Sequence, residues 1–367
     1  MTPAAIFLMK TYPHLYGQIC SRENLELAFR RARKRRSRKQ YVIDFEKDLM
    51  GNLQLLQTEL LFHSYCPRPL QSFILRDPKT RKISKSNFRD RIVHHALCNV
   101  IGPLLEKKFI YDSYANRVGK GTLNAIERFH FFQRKVTKNN TQRCHVLKAD
   151  IYHYFETVDH TILIHLLSRE ITDQRVLWLV RIILQNYTTS EIGKGMPLGN
   201  LTSQFFANVY LNELDQFVKQ QLHVKYYLRY VDDFVIFERS AKKLEDYEAK
   251  IDLFLKDNLG LQLHPDKTKI IEHQKGIGFL GFTLFPHHKL LKAKNVRHFQ
   301  KRYNSLYNEY VTEKCNYDRV YDFLEGWMAY AKQANTYNLR KRILLKMEER
   351  FPQDISAKEF NRAHKHL

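Results

Sequence analysis

The chain has 367 residues, of which 61 are Lys or Arg and 38 are Asp or Glu, so its formal net charge is +23. Hydrophobic residues make up 44% and aromatic residues 13%, which allows a substantial core and excludes an intrinsically disordered chain. The cationic excess favours a polyanionic partner, with nucleic acid ahead of an anionic membrane surface.

The five cysteines are scattered and form no C-x-x-C pair. This pattern argues against a zinc site and a disulfide framework and favours a reducing compartment. The apolar patch at the N-terminus lacks the charged start and the length of a signal peptide. No apolar run approaches the roughly 20 residues that cross a bilayer. We therefore expect a cytoplasmic protein with no membrane partner.

The first distinctive segment is RRARKRRSRK, residues 30–39, with eight cationic side chains in ten positions. Its flanking sequences favour a helix, so we expect a charged helix that lies on RNA or DNA. A solvated helix face and a localisation signal are the alternatives. The candidate phosphate contacts are the cationic residues of its first seven positions: Arg30, Arg31, Arg33, Lys34, Arg35 and Arg36.

A hairpin, a helix and a glycine-rich loop follow. FILRDPKTRKI, residues 73–83, predicts a hairpin with a Pro-containing turn. RDRIVHHALCNVIGPLLEKKF then has the apolar spacing of a helix. In RVGKGTLNAI, residues 117–126, a Gly-Lys-Gly loop runs into another helix. Lys120 in this loop is a candidate nucleic-acid contact, although the loop lacks the spacing of a P-loop.

Strand and helix patterns alternate in the middle of the chain. CHVLKADIYHYF, residues 144–155, predicts a strand ending at Asp150, and a helix is expected from about residue 160 to 185. A glycine-rich loop leads into a helix in residues 193–218. YLRYVDDFVIF, residues 227–237, predicts a hairpin with its acidic residues at the tip.

The last third of the chain changes character. A helix over residues 242–259 is followed by short strands in GIGFLGFTLF, residues 276–285. This second segment matches G-x-G-x-x-G, but the alternating residues after it indicate a strand and not the helix that a dinucleotide site needs. After about residue 290 only helical spacing remains, which predicts a separate helical lobe.

Asp232 and Asp233 stand side by side in an apolar and aromatic run, where repulsion and burial are both costly. A solvent-exposed turn is the simple alternative, but this one has neither Gly nor Asn. A divalent cation removes the repulsion and prefers oxygen ligands. If the two β-rich segments lie side by side, Asp150 joins the pair. Three carboxylates could then hold two ions roughly 4 Å apart for phosphoryl transfer.

The order of these motifs resembles that of reverse transcriptases. YVDD, residues 230–233, is similar to their palm-domain signature, and LKADIYHYFETVDH is similar to their first palm motif. LGLQLHPDKTKI, residues 259–270, resembles the lysine-bearing motif after it, and GFLGFTLF resembles the primer-grip hairpin. The resemblance runs from about residue 40 to 340.

This resemblance implies an α+β fold with right-hand polymerase architecture. Fingers and palm, with an antiparallel palm sheet, are expected over residues 1–290, with the basic segment 1–50 included. A short helical thumb is expected over residues 291–367. The implied activity is RNA-directed DNA polymerisation from dNTP substrates.

The resemblance also implies roles for single residues. Asp150 and Asp232 match the ligands of two Mg²⁺ ions, with Mn²⁺ as an alternative metal. Asp233 matches a less directly engaged third carboxylate, and the backbone carbonyl of Ile151 a further ligand. Lys267 would protonate the leaving pyrophosphate, unless it is an ordinary surface lysine.

The incoming nucleotide would meet three further side chains. Phe155 matches an aromatic gate that excludes a ribose 2′-hydroxyl by bulk, and an ordinary core residue is its alternative. Arg76 and Arg81 in the predicted hairpin match a basic pair that binds the triphosphate, within a residue or two of register.

The loop PLGNLTSQ, residues 197–204, departs from the Q-G-x-x-x-S-P of most of the superfamily. Its L-G-x-x-x-S-Q form is similar to reverse transcriptases of diversity-generating retroelements. The resemblance assigns Leu198 and Gly199 to the nucleotide site and Gln204 to nucleic-acid contact. Leu198 offers shape but no hydrogen bonds to check the nascent base pair, so we expect low fidelity.

The implied partners are a template RNA, its cDNA product, a structured non-coding RNA and a small accessory protein. The leading hypothesis is a polymerase for mutagenic homing. An anti-phage defence reverse transcriptase built on a non-coding RNA is the close alternative, and a non-catalytic RNA-binding protein is the third. The oligomeric state stays open.

Overall fold

The structure is a computed structural model that describes residues 12–76, 80–352, 354–356 and 359. The apolar patch at the N-terminus and the centre of the predicted 73–83 turn lie outside these described residues. Within the described ranges, no helix combines the length and the apolar character needed to span a membrane.

The chain divides into two compact units. The first comprises residues 1–129 and 147–270, and the second comprises residues 130–146 and 271–367. These units are defined by compactness alone, so the predicted division into fingers, palm and thumb at residue 290 stays a prediction.

The first unit combines many helices with two small sheets. Its helices, in chain order, are α1 (Tyr16–Cys20), α2 (Arg22–Arg33), α3 (Gln40–Glu46), α4 (Leu49–Leu61), α5 (Phe88–Leu105), the start of α6 (Thr122–Val136), α7 (Tyr154–Thr157), α8 (His160–Ser168), α9 (Gln174–Gln185), α10 (Leu201–Gln216) and α11 (Ala241–Leu259). Its strands, some of which run into the second unit, are β1 (Gln71–Leu75), β2 (Arg81–Lys85), β3 (His145–Asp150), β4 (Tyr227–Tyr230), β5 (Asp233–Glu238) and β6 (Lys269–Glu272).

Helices α5 and α10 form the centre of the first unit. Ile92, Leu97 and Ile101 of α5 are fully buried, as their predicted helical spacing requires. Helix α10 is buried on nearly all sides, because FFANVY and the leucines after it leave few polar positions to face water. The glycine-rich loop that precedes α10 is therefore anchored at its C-terminal end by a buried helix.

Two antiparallel hairpins carry the motifs. Strands β1 and β2 pair from Gln71 with Lys85 to Leu75 with Arg81, which confirms the predicted hairpin. Strands β4 and β5 pair with Tyr230 opposite Asp233. The second hairpin belongs to a four-stranded sheet in the order β4-β5-β3-β6, so β3 lies next to β5.

Two predicted helices are shorter than expected. The basic segment is not one continuous helix, because α2 ends at Arg33 and a turn occupies residues 34–39, with Arg35 in the left-handed region at φ 63°. Closely spaced like charges disfavour a helix here. The predicted helix over residues 160–185 is two helices, α8 and α9, each capped by its own aspartate, Asp159 or Asp173.

The second unit is a small sheet with a three-helix lobe. Strands β7 (Ile277–Phe279), β8 (Phe282–Leu284) and β9 (Lys289–Leu291) form an antiparallel sheet. The G-x-G-x-x-G match thus forms a strand and a turn, as expected. Helices α12 (Ala293–Val311), α13 (Tyr317–Ala331) and α14 (Tyr337–Arg350) pack around buried apolar residues such as Phe299 and Leu324. The helical spacing predicted after about residue 290 is confirmed by these three helices, whereas their assignment as a separate thumb stays a prediction.

Asp173 fixes the described N-terminal segment to the first unit. Its buried carboxylate accepts hydrogen bonds from the backbone N–H groups of Leu15 and Tyr16, at 3.0 and 2.9 Å, through Oδ2. Oδ1 accepts from the N–H of Arg175 at 3.1 Å and caps α9. One side chain therefore begins α9 and anchors α1.

We expect Asp173→Asn to lower the free energy of unfolding by about 2 kcal/mol. Whichever way the amide turns, its NH₂ group faces backbone donors and leaves at least one of them unpaired. Asp159→Asn is the matched control, because Asp159 only caps α8 through Oδ1 and asparagine caps a helix equally well. Denaturant unfolding measures both; equal losses in the two variants would contradict the anchoring role of Asp173.

Candidate active site

The three predicted carboxylates come together at one end of the sheet. Asp150 ends β3, and Asp232 occupies the two-residue turn that follows Tyr230. Asp233 is not at the tip, as the sequence had suggested, because it already opens β5 and pairs with Tyr230. The neighbouring positions of β3 and β5 in the sheet place Asp150 beside the pair.

Burial and the proximity of the three carboxylates raise the pKa of Asp232. Burial, followed by the charges of Asp233 and Asp150, raises the pKa of the Asp232 carboxyl from 3.8 to about 6. Lysines neutralise the other two carboxylates: Lys267 Nζ lies 2.9 Å from Asp150 Oδ1, and Lys148 Nζ lies 3.2 Å from Asp233 Oδ1. Among the described residues no lysine or arginine forms an ion pair with Asp232.

The backbone around Asp150 is paired on one side. Ile151 forms a bridge with Leu263, in which Tyr152 N–H donates to the Gln262 carbonyl and His264 N–H donates to the Asp150 carbonyl. The bonds of this bridge run through the neighbours of Ile151, so they leave its own carbonyl outside the pairing. That carbonyl was the predicted backbone ligand.

The turn that holds Asp232 is strained. Val231 has φ 55°, in the left-handed region that a β-branched side chain strongly disfavours. Conformations of this kind cost of order 1–3 kcal/mol and persist only where the surroundings enforce them. The strained residue is adjacent to Asp232, the one carboxylate of the three that forms no ion pair among the described residues.

The glycine-rich loop lies between two of the motifs. Met196 N–H donates to the Phe155 carbonyl at 2.7 Å, and Ser84 N–H of β2 donates to the Leu198 carbonyl at 3.0 Å. Phe155 and Leu198 are both partly buried. The loop therefore connects the segment after Asp150 with the β1–β2 hairpin through its backbone.

Gly199 is required where the loop meets this hairpin. It has φ 112°, and a Cβ atom there would lie only 2.9 Å from Ile83 Cγ2. The buried side chain of the next residue, Asn200, accepts from Ser86 N–H at 3.0 Å and donates to the Ser84 carbonyl at 3.2 Å. The strand β2 is thus held to the start of α10 by backbone and side-chain bonds together.

Most of the remaining predicted contacts lie on exposed surfaces, and Lys120 is the exception. Arg76 and Arg81 are exposed at the far end of the β1–β2 hairpin, and Gln204 is exposed in the first turn of α10. Lys120 is engaged within the protein, since its ammonium lies 3.3 Å from the Tyr111 ring centroid and donates to the Tyr111 carbonyl.

The basic segment presents its cations to solvent. All six predicted contacts are exposed, and two of them also bond within the protein, Arg31 to Asn99 and Arg33 to Glu46. The arrangement leaves a cationic turn, residues 34–39, at the end of α2. None of these groups lies in the carboxylate cluster.

Sequence reasoning missed two charged residues that support the site. Lys148 stands two residues before Asp150 on β3, and Arg229 is fully buried in β4. The alternation of a strand placed Lys148 on the face of Asp150, which was an available signal. The arginine in an otherwise apolar strand was another, since a buried charge requires a partner.

The donor set suits a hard divalent cation. Carboxylates are the ligands that Mg²⁺ prefers, and Asp232, unlike Asp150 and Asp233, forms no ion pair with a basic side chain among the described residues. Within the described residues, however, no three His, Cys, Asp or Glu side chains already stand at ligand geometry. The lysine contacts of Asp150 and Asp233 supply part of the positive charge in this arrangement.

The chain is similar in sequence to one protein family and to several individual proteins. The sequence model of the family described as reverse transcriptase (RNA-dependent DNA polymerase) matches residues 76–284, more than half of the chain. Protein YkfC of Escherichia coli (strain K12) is 28% identical over 279 residues, which cover 64% of this chain and 72% of that protein. Group II intron-encoded protein LtrA of Lactococcus lactis subsp. cremoris is 21% identical over 291 residues, covering 60% of this chain and 47% of that protein.

The chain therefore spans about half the length of this intron-encoded relative. Among solved structures, a telomerase from Candida albicans in complex with a TWJ fragment of telomeric RNA has a TM-score of 0.51 at 12% identity. That match covers 82% of this chain and 58% of the telomerase chain, and it shows a shared fold. The expected α+β right-hand polymerase architecture is confirmed. By its motifs, its fold and the family match, this chain belongs to the reverse transcriptases, RNA-directed DNA polymerases that depend on divalent metal.

Proposed function

We propose that this chain extends a primer on an RNA template by two-metal nucleotidyl transfer. The observation that carries the proposal is the carboxylate cluster of Asp150, Asp232 and Asp233, in which only Asp232 has no cationic partner. A purely structural cluster would be expected to balance all three charges, whereas a metal site requires unbalanced charge.

Asp150, Asp232 and the Ile151 carbonyl would hold two Mg²⁺ ions, with Mn²⁺ as an alternative. When bound, the ions supply activation of the primer 3′-hydroxyl and charge stabilisation for the leaving pyrophosphate. Asp233, paired with Lys148, supports the cluster. Lys267 already lies beside Asp150, from where its ammonium can donate a proton to the departing pyrophosphate.

The substrates would be dNTPs, and several side chains outside the cluster have the chemistry to bind them. Arg76 and Arg81 would bind the triphosphate, and exposed arginines form bidentate bonds with phosphate oxygens. Phe155 would exclude the ribose 2′-hydroxyl, and Leu198 with Gly199 would face the nascent base pair. The net charge of +23 favours template RNA and cDNA as ligands, with the cationic turn of residues 34–39 as a phosphate contact.

The template class is proposed from one loop. The L-G-x-x-x-S-Q form of residues 198–204 favours a diversity-generating retroelement, with a structured RNA and a small accessory protein as partners. The backbone of Leu198 is held by the hydrogen bond from Ser84 N–H to its carbonyl. Its side chain has no group that can donate or accept a hydrogen bond. Such a contact discriminates by shape alone, and shape alone rejects wrong pairs weakly.

Asp232→Asn should reduce primer extension by at least about 10³-fold and at the same time stabilise the metal-free protein. The pKa of Asp232 lies near 6 in the folded chain and near 4 in the unfolded chain. Between these values the folded state binds more protons, so stability falls as the pH rises through this window. Removing the charge should therefore add up to roughly 2–3 kcal/mol at pH 7.

Denaturant unfolding at pH 4 and pH 7 in a chelator measures this effect. Asp233→Asn is the matched control, since it removes an adjacent charge but also leaves Lys148 without its partner, and it should give no gain. A wild-type protein that extends no primer, or an active Asp232→Asn variant, would contradict the proposed function.

Phe155→Val should increase incorporation of ribonucleotides relative to deoxyribonucleotides by about 10- to 100-fold, because a smaller side chain leaves room for the 2′-hydroxyl. Tyr152→Val, a change at an exposed neighbouring ring, is the control. Primer extension with each nucleotide class measures the ratio. An unchanged ratio in Phe155→Val would identify Phe155 as an ordinary packing residue.

Sequencing of cDNA bound to the protein in its host tests the template class. For wild type we expect errors concentrated at template adenines, no cDNA with Asp232→Asn, and about 10-fold fewer errors with Leu198→Gln, which restores hydrogen bonding. Leu201→Gln, a partly buried leucine in the first turn of α10, is the control. Faithful or repetitive wild-type cDNA would instead favour a defence enzyme.

A further inference from the structure

Arg229 is a fully buried charged residue outside the carboxylate cluster. Its side chain is fully buried in β4, and so is that of its partner Asp215 on α10. Nε donates to Asp215 Oδ1 at 2.7 Å and an Nη donates to Asp215 Oδ2 at 2.6 Å, which is a bidentate pair. Tyr227 donates its hydroxyl hydrogen to Asp215 Oδ1 at 2.8 Å as well.

The other guanidinium nitrogen of Arg229 points towards the Val231–Asp232 turn. It donates to the backbone carbonyl of Val231 at 3.0 Å and to Asn208 Oδ1 at 3.3 Å. Asn208 and Asp215 lie seven residues apart on one face of α10, and Asn208 is itself fixed by a bond to the Ala115 carbonyl. The guanidinium therefore has little freedom to move.

The backbone of Arg229 is fixed too. Its N–H donates to the Asp112 carbonyl and its carbonyl accepts from Tyr114 N–H, each at 3.0 Å. Hydrogen bonds thus hold both the backbone and the guanidinium of Arg229. The guanidinium connects the Asp215 carboxylate to the Val231 carbonyl. The second of these belongs to the strained residue immediately before Asp232.

We propose that Arg229 is a positioning residue for the polymerase reaction: held by Asp215 and Asn208, it fixes the Val231 carbonyl and with it the strained turn that aims Asp232. This inference rests on the proposed function. Val231 at φ 55° would relax towards a favoured region if its carbonyl were released. A shift of the order of 1 Å at Asp232 would then reduce the rate by about 10²-fold.

A positioning role for Arg229 can be separated from a general contribution of the Arg229–Asp215 ion pair to stability. Buried ion pairs often add little net stability over apolar residues of similar size, and removing both partners together avoids an uncompensated buried charge. Asp215→Leu combined with Arg229→Met should therefore keep the fold while it deletes the bond to Val231. Arg229→Lys keeps one charge towards Asp215 but lacks the second nitrogen that reaches the turn.

Glycine at position 231 provides a rescue. Glycine adopts φ 55° without the penalty of a β-branched residue, so the turn would keep its shape without help from Arg229. We expect the Asp215→Leu/Arg229→Met variant to lose about 10- to 100-fold in affinity for Mn²⁺ and about 10²-fold in turnover, with the KM for dNTP changed less than about threefold. Adding Val231→Gly should restore most of both.

The experiment measures Mn²⁺ binding by electron paramagnetic resonance, steady-state primer extension and thermal unfolding. It uses wild type, Val231→Gly, Arg229→Lys and the Asp215→Leu/Arg229→Met variant with and without Val231→Gly. Loss and rescue of metal affinity support the inference even if wild type proves unable to extend a primer, so the two proposals fail separately. Three outcomes would overturn the inference about Arg229. The Asp215→Leu/Arg229→Met variant could fold and keep its metal affinity, or Val231→Gly could fail to restore the lost metal affinity and turnover. The losses could also match the unfolded fraction of each variant.

Discussion

The mutual repulsion of three carboxylates is the constraint on which the rest of this site depends. Nothing in apolar burial favours Asp150, Asp232 and Asp233 at one end of a sheet, and the raised pKa of Asp232 records the cost. Lys148 and Lys267 reduce that cost at two of the three positions. The carboxylate of Asp232 has no ion-pair partner among the described residues, and the proposed divalent cation would supply the missing positive charge.

Helix α10 links the parts that must act together. At its start, Asn200 holds β2 of the hairpin that carries the proposed triphosphate contacts. Further along, Asn208 and Asp215 hold Arg229, whose side chain reaches the turn of Asp232. Most of this helix is buried and closely packed, so the glycine-rich loop and the carboxylate turn share one rigid support. This explains why polar residues are tolerated at these few buried positions.

Local patterns predicted the elements of the site well, because strand alternation and glycine-rich turns act over a few residues. The end of β3 at Asp150 and the β4–β5 hairpin were both predictable in this way. The contact between Lys148 and Asp233 was not, since it depends on which strands become neighbours in the sheet. The break in the basic segment at Arg33 involves neither Gly nor Pro, and only the charge density of residues 30–39 indicated it.

The telomerase has the same fold at 12% identity, so very different sequences can form this architecture. What must persist is the relation between one strand end and one tight turn, and many apolar sequences can build it. Position 198 is different in kind. Its carbonyl accepts a hydrogen bond from Ser84 N–H, and this bond does not depend on which side chain stands at position 198. Under the proposed function, a change at Leu198 would alter base-pair discrimination independently of the carboxylate geometry, so polymerases that share one active-site chemistry could differ in fidelity.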